Sequence, residues 1–168
     1  MQRRTLLKLG VATGAALALV GGAAAYIKPG FERGQLTTVG RDVFRAIGLG
    51  VLDKTLPDAK ASKSAALDTL LADIGVLIAA LPAHAQAEVS QLLSILSASA
   101  GRYGLAGLGT PWAEATATQV QTALQGMRLS SLAVRQQAYA ALHDITAGAY
   151  FSRPDSWTML GYPGPLTI

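Results

Sequence analysis

The sequence holds no cysteine. Disulfides, thiolate-held iron–sulfur clusters and thioether-attached haem are therefore excluded, and the fold must stand on packing alone. Only two histidines are present, His84 and His143, too far apart to show metal-ligand spacing. Charge is scarce, at 14% of residues, and aromatic residues make up 6%. The basic excess is concentrated at the start of the chain. Setting aside Arg3, Arg4 and Lys8 reduces 14 basic residues to 11, against 10 acidic ones. A nearly neutral remainder offers no basic stripe for phosphates, which argues against nucleic acid as a partner. A length of 168 residues predicts one domain with enough chain for one buried core.

What is present begins with Gln2-Arg3-Arg4-Thr5-Leu6-Leu7-Lys8, followed by 19 uncharged residues from Leu9 to Ile27. The pair Arg3-Arg4 with Leu6, Leu7 and Lys8, ahead of an apolar run diluted by Gly10, Gly14, Gly21 and Gly22, resembles a bacterial twin-arginine export signal. Ala23 and Ala25 supply the small residues that a signal peptidase needs. At a rise of about 1.5 Å per residue the run also nearly crosses a roughly 30 Å hydrocarbon core, so cleavage and retention as an anchor both stay open. Either outcome places the remainder outside the cytoplasm, and the expected location is the periplasm, associated with the inner membrane.

Residues 28–36 read as a glycine-containing, charged linker. Beyond it, over residues 37–150, the apolar residues recur with helical spacing. Thr37 or Thr38 caps a helix carrying Val39, Val43, Ile47 and Val51, widened by Phe44 and Leu52. Lys60 to Ser64 reads as exposed loop. A second helix then runs from about Ser64 to Ala80 carrying Leu67, Leu70, Leu71, Ile74, Leu77, Ile78 and Leu81 at helical spacing, with Asp68 and Asp73 on the outer side. Pro82 opens a third helix with the stripe Val89, Leu92, Leu93, Leu96. The glycines from Gly101 to Gly109 predict a non-helical bend. Thr110-Pro111-Trp112 reads as the start of a fourth helix reaching Leu124, and a fifth runs from about Ser131 to Tyr150. Residues 151–168 are rich in aromatics, prolines and glycines and follow neither helical nor strand periodicity. The expected architecture is all-α, a bundle of about five helices with an irregular aromatic C-terminal arm.

No catalytic constellation stands out. The glycine clusters do not open a strand-turn-helix dinucleotide motif. His143-Asp144 is the one adjacent histidine–carboxylate pair, and neighbours on a helix point about 100° apart, which favours a surface role. The arm admits two readings: its aromatics close the bundle's own core, or they are rigid anchors for another subunit.

The run Gly148-Ala149-Tyr150-Phe151, then Pro154, Trp157 and Leu160-Gly161-Tyr162-Pro163-Gly164-Pro165, together with the leader, resembles the gluconate 2-dehydrogenase subunit 3 family. These are the small subunits of membrane-associated flavin dehydrogenases. The chain is shorter between Phe151 and Trp157 than the gluconate-type pattern, which leaves the partner's substrate unassigned. The resemblance implies a non-catalytic subunit with no cofactor of its own. Its partner would be a large dehydrogenase of the glucose-methanol-choline type carrying FAD, taken across by the twin-arginine translocase on this chain's signal. A membrane-bound c-type cytochrome is a further partner in such complexes. The implied partner-binding residues are Tyr150, Phe151, Pro154, Trp157, Leu160, Tyr162, Pro163 and Pro165. A second reading is a stand-alone membrane-anchored helical scaffold that docks a periplasmic redox protein.

Overall fold

The computed structural model describes residues 28–157 and 161–163. The leader residues Arg3, Arg4, Leu6, Leu7 and Lys8, the alanines Ala23 and Ala25, and Leu160 and Pro165 of the arm lie outside the described residues. The first element corrects the expected linker. Strands β1 (Phe31–Glu32) and β2 (Gln35–Leu36) pair antiparallel, Phe31 opposite Leu36, around a turn in which Arg33 and Gly34 both have positive φ. Such a turn matches the twist of a two-residue hairpin. Phe31 is buried, its backbone N–H donates to Ser90 Oγ at 3.1 Å, and Ser90 Oγ donates back to the Phe31 carbonyl at 2.8 Å. The segment is stitched to the domain.

Five long helices follow: α1 (Thr38–Val51), α2 (Lys60–Ala79), α3 (Ala83–Ser97), α4 (Ala117–Arg128) and α5 (Ala133–Phe151). The all-α bundle is as the periodicity predicts. Helix α1 is its centre and touches each of the other four. Thr37 caps it, the hydroxyl accepting from Gly40 N–H at 3.4 Å. Val43, Phe44, Ile47 and Leu52 are almost wholly buried, and each contributes roughly 1.5–3 kcal/mol. That outweighs the helical cost of the α1 glycines, about 1 kcal/mol each. Two of those glycines are where neighbours come closest. A Cβ on Gly40 would lie 2.1 Å from the Gly30 carbonyl oxygen, and one on Gly50 would lie 2.7 Å from Val120 Cγ1 on α4.

Helix α2 begins a turn earlier than its polarity suggests. Lys60 to Ser64 is helical, because polar residues there form the solvent side of a first turn rather than a loop. Its inward stripe is Leu67, Leu70, Leu71, Ile74 and Ile78, and Asp68 faces out to Arg41 and Arg45 of α1. The glycine-rich stretch is also more regular than expected: a short helical turn (Ser99–Gly101) runs into a π turn (Arg102–Ala106), closed by Gly107 in the left-handed conformation.

Thr110-Pro111-Trp112 opens only a 3₁₀ turn (Trp112–Glu114). Trp112 is buried and its indole N–H donates to the Leu96 carbonyl at 2.7 Å, which ties this turn to the end of α3. The chain becomes extended at Ala115 before α4 starts. Thr116 supplies the true cap. Its hydroxyl accepts from Gln119 N–H at 3.2 Å while the Gln119 side chain accepts from Thr116 N–H at 2.9 Å, a reciprocal capping box.

Candidate partner-binding arm

The arm grows from the last turn of α5. Tyr150 packs against the core and its hydroxyl donates to the Thr55 carbonyl at 3.4 Å, while the Phe151 ring stands edge-on to it with centroids 5.1 Å apart. Ser152 ends the helix, its N–H donating to the Gly148 carbonyl and its hydroxyl to the Ala149 carbonyl. A one-turn helix, Pro154–Trp157, follows with proline in its first position, so the arm is less irregular than its composition suggests.

This turn folds the chain back. Ser156 is buried and its hydroxyl donates to the Arg153 carbonyl at 2.7 Å, and the Trp157 indole N–H donates to the Phe151 carbonyl at 2.8 Å. Tyr162 returns over Trp157, its backbone N–H donating to the Trp157 carbonyl at 3.0 Å and its ring edge-on at 5.5 Å. Gly161, at positive φ, permits that return. Tyr150, Phe151, Trp157 and Tyr162 thus form one chain of contacts, with Pro154 and Pro163 exposed at its flanks.

Arg153 and Asp73 belong to the same place. Asp73, expected on the outer face of α2, is half-buried, and its Oδ2 lies 3.7 Å from Arg153 Nη1. Arg153 also meets Asp155 at 3.3 Å. The sequence signal for this clasp is slight: a lone arginine in the gap of the aromatic motif and an aspartate eighty residues earlier.

The core cluster among the described residues ends at Ala149 and Tyr150; Phe151, Trp157 and Tyr162 are not part of it. Tyr162 remains 49% exposed. Phe151 and Trp157 are partly buried, and the arm is ordered by its own hydrogen bonds, so a partner that covered it would order little further backbone.

Elsewhere, His143 and Asp144 meet against expectation, with Nδ1 and Oδ1 3.1 Å apart. The imidazole stacks on Tyr139 one turn before it, centroids 5.4 Å apart, which swings it along the helix surface. Both residues are solvent-accessible. Among the described residues no group of three or more histidines and carboxylates is placed to hold a metal ion, and no helix is long and apolar enough to cross a membrane. Comparison of the chain with family models, curated proteins and solved structures gives no match.

Proposed function

We propose that this chain is the non-catalytic small subunit of a periplasm-facing flavin dehydrogenase of the glucose-methanol-choline type, which it escorts through the twin-arginine route and stabilises. The observation that carries this reading is the arm: an aromatic cluster that starts from the edge of the hydrophobic core at Tyr150 and extends beyond it to Tyr162, held in shape by its own hydrogen bonds and ring contacts. Trp and Tyr in such a position offer rigid contact area typical of interface anchors. The leader motif at Arg3-Arg4 and the arm motif at Gly148–Pro165 support the same reading independently. The physical logic is that a flavoprotein closed around FAD cannot be threaded through a channel for unfolded chains. A folded partner bearing a signal can carry it.

Coexpression with a flavin dehydrogenase of this type from the same genome, one lacking a signal of its own, tests the reading. The chain alone should purify colourless, and the pair should copurify with flavin absorbance that follows the large subunit. A chromophore on the isolated chain, or no capture of the dehydrogenase, would overturn it.

A further inference from the structure

The arginines of the described residues divide into two groups. Arg33, Arg41, Arg45 and Arg153 each face a carboxylate. Arg102, Arg128 and Arg135 form no ion pair among the described residues, and they stand in the π turn, the last turn of α4 and the first turn of α5. Arg135, in the first turn of α5, donates from Nε to the Leu105 carbonyl at 2.8 Å. Its Nη2 lies 3.4 Å from where a side chain on Gly107 would begin and 3.8 Å from the same point on Gly126. The π turn, the last turn of α4 and the first turn of α5 therefore converge on this guanidinium. The Nε of Arg102 is buried there without a hydrogen-bond partner. From Ala115 to His143 the sequence has no Asp or Glu.

The same convergence carries exposed apolar side chains. Leu129 caps the end of α4, Leu132 precedes α5 and Tyr103 sits in the π turn, with exposures of 68%, 58% and 72%. Beside them a recess of about 370 Å³ is lined by Arg135, Thr110, Thr118, Thr122 and glycine backbone, and its lining includes no carboxylate. The apolar groups stand at separate turns between cations rather than along a continuous stripe, so they match a surface that is fluid, apolar beneath and negatively charged on top.

We propose that this end of the bundle docks on an anionic phospholipid surface. Tyr103, Leu129 and Leu132 enter the interfacial layer, Arg102 and Arg128 meet lipid phosphates, and one headgroup phosphate seats against Arg135 in the threonine-lined recess. Short apolar side chains flanked by arginines suit shallow, peripheral binding whose strength follows buried apolar area and lipid charge. Helix α5 has 19 residues and is roughly 28 Å long at about 1.5 Å per residue, so the lipid surface and the aromatic arm lie at opposite ends of it. Both can be occupied together. The proposal rests on the bundle alone and does not need the escort reading.

Amide hydrogen exchange on the full chain tests it, because peptide resolution separates this surface from the leader. Vesicles of phosphatidylglycerol mixed with phosphatidylcholine should protect peptides covering residues 102–109 and 126–135, and pure phosphatidylcholine should not. Arg128→Gln should weaken that protection about fivefold in lipid concentration, and Leu129→Ser with Leu132→Ser by about tenfold or more. All three side chains are exposed, so melting should stay unchanged. Equal protection by neutral vesicles, by inorganic phosphate alone, or in the leucine double variant would overturn the proposal. Protection confined to residues before 28 would do the same.

Discussion

Deleting everything after Arg153 separates an arm built for a partner from an arm that closes its own core. The deletion removes the Trp157 indole bond to Phe151, the buried Ser156 hydroxyl bond and the Trp157–Tyr162 edge contact, but leaves the Arg153–Asp73 pair in place. Each lost hydrogen bond is worth about 0.5–1.5 kcal/mol net. Against that, the deletion also removes the cost of ordering those residues, about 1–2 kcal/mol of backbone entropy each. That ordering cost at least offsets the lost bonds, and no residue of the core cluster is removed. A net loss of at most about 2 kcal/mol should lower the melting temperature by less than about 8 °C for a domain of this size. Capture of the flavin dehydrogenase should fall far more, because losing the Trp157 and Tyr162 anchors costs about 2 kcal/mol or more, roughly thirtyfold in affinity. Calorimetry on the free chain and pull-down of the coexpressed dehydrogenase read the two effects separately. A truncated chain that loses its cooperative transition, or one that still captures the dehydrogenase at full yield, would refute the interface reasoning.

Two substitutions probe the packing and capping of the bundle itself. Gly40→Ala should destabilise by more than the 1–3 kcal/mol usual for overpacking, because the new methyl meets the backbone oxygen of Gly30 rather than a side chain able to move; chemical denaturation measures it. Thr116→Ala should cost about 1 kcal/mol through loss of the capping box, without changing dehydrogenase capture, since α4 begins far along the chain from the arm.

The long helices were legible because each buries a stripe at the helical period. Leu67, Leu70, Leu71, Ile74 and Ile78 recur on one face of α2 and all five are buried. Shorter features carry too few residues for a period to register. The hairpin at Phe31–Leu36 has two residues per strand, and its order comes from Ser90, some sixty residues away. Polarity misled at Lys60 to Ser64, where exposure marks a helix face and not a loop. Thr110-Pro111-Trp112 read as the helix start, yet burial of Trp112 ties that segment into a 3₁₀ turn, and Thr116 caps α4. In the arm the aromatic residues were visible as a cluster. The clasp between Arg153 and Asp73 was not, because it depends on how α2 and α5 pack.

Replacing Arg3 and Arg4 together by lysine tests the escort reading most directly, with the flavin dehydrogenase then assayed in periplasmic and cytoplasmic fractions. Lysine keeps the charge but lacks the planar guanidinium fork, so a translocase that reads the arginine pair rejects it, whereas simple electrostatic orientation at the membrane does not. The account predicts that both this chain and the flavin-loaded dehydrogenase remain in the cytoplasm, folded and active. Undiminished delivery of the active dehydrogenase to the periplasm would contradict it.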